Sequence, residues 1–108
     1  MQSTMGHMLV AFSIAPGSSD PDGSVSAPVA TAVRIVRESG LPNETTSMFT
    51  TIEGEWDEVM AVVKRTVDAL LEQTDRVSLV LKADIRPGHT GQLTAKVERV
   101  NERLSSSG

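Results

Sequence analysis

Six side chains in this sequence have the types and positions to hold a small heterocycle: Ser13, Phe49, Thr50, Thr51, Glu53 and Asp84. Glu53 and Asp84 stand towards the ends of extended runs, where a carboxylate can accept hydrogen bonds from an amine-bearing ring or offset a cationic one. Both read equally as solvated acids or as partners of Lys82 or Arg86. Thr50 and Thr51 alternate along one run, so their hydroxyls, each a donor and an acceptor, face opposite sides. Strand propensity explains the same pair. Ser13 interrupts an apolar segment, and a buried hydroxyl there needs a partner from the protein or from a ligand. Phe49 offers a ring for stacking, for the core, or for a contact between copies.

Catalytic chemistry is poorly supplied. Ser13, Asp84 and His89 have the residue types of a triad, yet the sequence contains no nucleophile elbow. The segment "PGSSDPDGS" bears glycine but carries two acids and no base, which disfavours phosphate. Cysteine is absent, which removes a thiol nucleophile, a disulfide frame and any Cys-based metal site, and permits a reducing cytoplasm. With His7 assigned to the N-terminal tail, His89 is the only histidine of the domain, so neither a metal nor a cofactor is expected. A net charge of −4 with one Trp, two Phe and no Tyr argues against nucleic acid as a partner. No run approaches the roughly 18 consecutive apolar residues of a membrane span.

The elements that must position these side chains follow from periodicity. A chain of 108 residues makes one domain. Residues 1–7, ending near "GHM", read as a disordered tail or cloning remnant, residues 8–104 as the domain and residues 105–108 as a polar fray. "MLVAFSIA", residues 8–15, is a continuous apolar run rich in β formers, predicted to be the central strand. Pro28 and Gly40 bound a helix with Val29, Val33 and Val36 on one face. The Thr-rich run 43–53 predicts a hairpin turning near Ser47 and Met48, closed by Gly54.

In the second helix Trp56, Met60, Val63, Val67 and Leu70 recur at helical spacing, which predicts Trp56 as the first rung of the core stripe. Glu55, Asp57 and Glu58 crowd its N-terminus, where acids oppose the helix dipole. Residues 76–86 form the last strand, with Val77, Leu79, Leu81, Ala83 and Ile85 towards the core and Asp84 on the other side. Leu93, Val97, Val100 and Leu104 then repeat as a third helix. The order predicts an α+β, ferredoxin-like βαββαβ sandwich with an additional C-terminal helix. Its uncovered sheet face predicts self-association to a dimer or tetramer.

In "TTIEGEWDEVMAVVKR", taken with "MLVAFSIAP", "AVRIVRESGLPNE" and "DIRPG", the chain resembles the YkoF-like thiamine-binding proteins. Glu-Gly-Glu, an aromatic and an acid between a Thr-rich strand and a helix carry the resemblance. Phe49 stands where members usually have Gly or Asn. The resemblance implies a ferredoxin-like homotetramer assembled from dimers. It also implies binding of thiamine or a related pyrimidine or thiazolium metabolite without catalysis, for vitamin buffering, salvage or sensing. The competing expectations are a cofactor-free oxygenase on a dimeric α/β fold, resting on fold analogy, and an oligomeric interaction module with a vestigial pocket.

Overall fold

Alternation decides the first strand. In β1 (His7–Pro16) Met8, Val10 and Phe12 are buried, while His7, Leu9, Ala11 and Ser13 take the opposite face. The computed structural model describes residues 6–17 and 26–106. Most of "PGSSDPDGS" therefore lies outside the described residues. The remaining elements are α1 (Ser26–Glu38), β2 (Asn43–Thr45), β3 (Thr50–Glu55), α2 (Trp56–Leu71), β4 (Val77–Ile85) and α3 (Gln92–Ser106). The sheet order is β2-β3-β1-β4 with every neighbouring pair antiparallel. This is the ferredoxin-like arrangement, with β1 inside the sheet and a C-terminal helix added.

The core lies between one sheet face and the helices α1 and α2. Met8, Val10, Phe12 and Ile52 from the sheet meet Val36 of α1 and Val59, Val62 and Val63 of α2. Each side chain of this size contributes about 1.5–3 kcal/mol when fully buried. Gly40 follows α1 with φ +78, a conformation that favours glycine after a helix.

Four sequence expectations change. Trp56 is 37% exposed, and the buried stripe of α2 is Val59, Val62, Val63, Thr66 and Leu70. The reason is Thr66: its hydroxyl donates to the Val63 carbonyl at 2.7 Å, so a polar residue occupies the middle of the buried face with its hydroxyl already satisfied. Met60 and Val67 flank that face. Gly54 does not close a turn but lies buried within β3, where a Cβ would stand 3.2 Å from Val59 and 3.4 Å from Leu41. Its missing side chain admits the helix and the β2 approach. His7 belongs to β1 and to the domain, paired in register with Glu55, and α3 extends to Ser106. Finally, β4 is an edge strand, so Leu79 and Ile85, although on the core side, remain 40% and 44% exposed.

Candidate functional site

β1 outruns one of its neighbours. Its pairing with β3 ends at Phe12–Thr50, whereas its pairing with β4 continues to Pro16–Val77. Among the described residues, positions 13–16 therefore have a strand on one side only, and a cleft opens on the other. The chain between β2 and β3 forms its rim. There the Thr46 N–H donates to the Phe49 carbonyl at 2.8 Å. The Thr46 hydroxyl donates to the same carbonyl at 3.1 Å and accepts the Phe49 N–H at 3.2 Å. This tight turn holds Met48 and Phe49 out, 72% and 39% exposed.

The cleft measures about 120 Å³ and lies between that turn, the end of β1 and the face of α1 that carries Val29 and Val33. Ser13, Phe49 and Thr50 all border it. Strand alternation sends the Ser13 side chain to the open sheet face, opposite Val80, so its main chain is what borders the cleft. None of the cleft's described lining residues is charged. It offers an aromatic face, a flexible Met48 side chain and neutral hydroxyl and main-chain groups. Those suit a small flat ring, and an aromatic face also attracts an attached cation.

The other expected residues lie elsewhere. Thr51 and Asp84 share the open sheet face with Leu9, Ala11 and Lys82, bordering a shallow cleft of about 170 Å³. Register explains the grouping: Leu9 pairs with both Glu53 and Asp84, and Ala11 with both Thr51 and Lys82. Glu53, expected to meet a ligand donor, is satisfied by the protein. It is 2% exposed and accepts from His7 Nε2, from the Gln92 N–H at 2.8 Å and from the Leu93 N–H at 2.9 Å. Burial alone would raise its pKa, but the hydrogen bond from His7 and those from the two backbone amides outweigh it and hold the carboxyl below its ordinary value.

Met48, Val29 and Val33 border the cleft without having been expected there. Pairing across the hairpin turn brings in Met48, and the exposed first turns of α1 bring in the valines. His7 could have been found by parity alone, since it continues the Leu9 and Ala11 face of β1. The residues suggestive of a triad are dispersed: Ser13 pairs with Val80, four positions from Asp84 along β4. His89 is exposed in the turn after β4, its Nδ1 3.2 Å from the Pro87 carbonyl. Among the described residues no cluster of three or more His, Asp or Glu could hold a metal ion. None of the described helices is long and apolar enough to cross a membrane.

An antiparallel ferredoxin-like sheet with two helices on one face, an uncharged cleft beside its central strand and an extra C-terminal helix defines a small α+β domain of the ferredoxin-like class. The same fold is seen in the crystal structure of protein MJ1052 from Methanocaldococcus jannaschii, at TM-score 0.79 and 30% identity, covering 91% of this chain and 99% of that one. A Thermotoga maritima protein, named as a candidate for thiamine biosynthesis or salvage, shares the fold at TM-score 0.71 and 24% identity over 84% of this chain and 98% of its own. The UPF0045 protein Mb1933 of Mycobacterium bovis is 50% identical over 99 residues, which are 90% of this chain and 94% of that protein. The chain belongs to the thiamine-binding protein family, whose model matches residues 10–101.

Proposed function

We propose that this protein binds thiamine, or a related pyrimidine or thiazolium metabolite, without transforming it, and does so in the cytoplasm as a homo-oligomer. The observation that carries the reading is the cleft at the end of β1, where Phe49 and Thr50 face α1 across a space with no charged lining. A ring stacked on Phe49 would find hydroxyl and main-chain partners along the strand ends, and a thiazolium would gain from the aromatic face. The family match supports the ligand class. An uncharged lining supplies no acid, base or nucleophile of the usual kinds beyond hydroxyls, which favours binding over chemistry.

Self-association is supported by surface left uncovered. Val80 on the open sheet face is 58% exposed, and Val97 and Val100 on α3 are 59% and 55% exposed. A second copy covering them would complete a third layer.

The test is calorimetry with thiamine, its phosphates and the bare hydroxymethylpyrimidine, paired with sedimentation. Saturable heat with thiamine or the pyrimidine, from a species heavier than 11.5 kDa, is the expected result. No saturable heat with any of them would leave the fold as an interaction module.

A further inference from the structure

The sheet ends on one side at β2, three residues long, and on the other at β4, nine residues long. Two bonds fix which way the main chain of β4 points: the Gly17 N–H donates to the Arg76 carbonyl, and the Arg86 N–H donates to the His7 carbonyl. Both couples continue the β1–β4 register, which runs from Met8–Ile85 to Pro16–Val77 without a bulge. In an antiparallel ladder a residue bonded to the one directly opposite turns both its main-chain groups to that partner, and its neighbours turn both away. Ser78, Val80, Lys82 and Asp84 therefore bond β1, while Val77, Leu79, Leu81, Ala83 and Ile85 hold their N–H and carbonyl groups towards the free edge. The other side of β1 agrees. There the Trp56 N–H donates to the Gly6 carbonyl, so even positions of β1 serve β3 and odd ones serve β4.

Edge strands are commonly kept short or interrupted by a proline or a bulge, because unpaired main-chain groups recruit another strand. β2 is short. β4 has none of these devices between Val77 and Ile85, and its one lysine, Lys82, turns its main chain to β1. Leu79 and Ile85 remain well exposed beside the outward groups.

We propose that the free edge of β4 is an interface with a second copy of this chain, the two β4 strands pairing antiparallel about a two-fold axis at Leu81. In this register the strand is its own complement. Leu81 faces the partner's Leu81, Leu79 the partner's Ala83, and Val77 the partner's Ile85, so every outward residue meets an outward residue and the five pairs make ten main-chain bonds. All five set apolar side chains opposite one another on the helix-covered side, which stabilises cross-strand pairs. Moving the axis by one residue leaves Val77 or Ile85 without a partner. That self-match selects a second copy over an unrelated peptide strand. Beyond the paired stretch Arg76 falls opposite the partner's Arg86; both are exposed, so water and salt screen the repulsion.

This contact extends the sheet sideways and is separate from the stacking of open faces. With both, four copies assemble as two dimers. It uses no residue bordering the cleft at the end of β1, so its failure would leave the ligand reading intact.

The chain has no cysteine, so a single introduced thiol reports the pairing. Directly opposite Cα atoms of a bonded pair stand about 5.5 Å apart, within disulfide reach. Under mild oxidation Leu81→Cys should give mainly covalent dimer, whereas Ile85→Cys, whose two copies stand about 27 Å apart along the strands, should give at least about tenfold less. Ala83→Pro tests the contact by removal. The Ala83 N–H points outward, so proline takes no bond from β1. Sedimentation should show half the parental mass, with the helical circular dichroism retained. A monomeric parent, Leu81→Cys cross-linked no more readily than Ile85→Cys, or a folded Ala83→Pro of parental mass would each overturn the proposal. Should Ala83→Pro fail to fold, the two cysteine variants decide alone.

Discussion

The Thr46 hydroxyl grips Phe49 by both of its main-chain groups, accepting the N–H at 3.2 Å and donating to the carbonyl at 3.1 Å. The ring that borders the cleft is therefore aimed by a residue three positions earlier. Removing the ring should cost binding and little else. Phe49→Ala is expected to weaken thiamine by ~1–1.5 kcal/mol, about five- to tenfold. Its melting temperature should hardly move, since the side chain is 39% exposed. Calorimetry and thermal denaturation of the same preparation check both parts. An unchanged affinity would remove Phe49 from the site.

Thr46→Val keeps the shape of the turn residue and deletes its hydroxyl. The turn retains the Thr46 N–H bond to the Phe49 carbonyl at 2.8 Å. The hydroxyl's bonds with the Phe49 N–H and carbonyl and the longer one from the Met48 N–H are lost together, and because all are solvent-exposed the expected loss of stability is about 1–2 kcal/mol. Affinity should fall as well, because Phe49 loses its fixed direction. Urea unfolding beside a ligand titration separates the two effects. A variant with parental affinity would show that the ring finds its place without Thr46.

Leu70 and Trp56 should exchange the ranks that hydrophobic size alone would give them. Leu70 is fully buried in the core, and truncating such a residue to Ala costs about 2–5 kcal/mol. Trp56 is 37% exposed, and Trp56→Ala should cost less than Leu70→Ala in urea unfolding. The reverse order would mean that Trp56 becomes buried in solution, as it would beneath a second copy of the chain.

The order of the elements was legible because β1, the hairpin and the helices announce themselves by period and by punctuation. Pro28 and Gly40 bracket α1, and the turn at Ser47 and Met48 follows from two short Thr-bearing runs. The phase of α2 was not legible: Val63 and Leu70 belong to both the apolar stripe and the buried stripe, and the choice turned on Thr66, whose hydroxyl is satisfied by its own helix. Gly54 resembled a turn residue because nothing local distinguishes a glycine that bends a chain from one that admits a neighbour. The site divided for a similar reason. Spacing along one strand can place Thr50, Thr51 and Glu53 in sequence, but which of them share a cleft depends on where β3 parts from β1. Glu53 was visible as an unusual acid; its partners, 39 and 40 residues further along the chain, were not.

Glu53 gives the protein a definite response to acid. The unfolded carboxyl, near its ordinary value of 4.5, takes up its proton at higher pH than the folded one, whose hydrogen bonds more than offset the effect of burial. Its contribution to stability is therefore complete above that ordinary value and is lost as pH falls through the lower, folded value. Unfolding free energy measured in urea at a series of acid pH values should fall more steeply for the parent than for Glu53→Gln. Parallel curves would mean that other carboxyl groups account for the acid sensitivity.

Asp84 is the acid most suited by type to a cationic or amine-bearing heterocycle, and the structure separates it from Phe49. Register puts Asp84 beside Leu9 on the open sheet face, with Thr51 and Lys82. Phe49 lies where β1 has outrun β3, against α1. One small ring at the end of β1 cannot be held by both groups, because Asp84 is four residues from the Val80 that pairs with Ser13, roughly 13 Å along a strand. With the cleft as the site, Asp84→Asn should leave thiamine affinity within about twofold, as expected for a group that makes no ligand hydrogen bond. Phe49→Ala should weaken it. Both variants need sedimentation first, because the open face that carries Asp84 is also the surface proposed to meet a second copy. If the oligomer survives and Asp84→Asn loses affinity while Phe49→Ala does not, the ligand sits on the open sheet face. The row of Thr51, Ala11 and Lys82 would then be its floor.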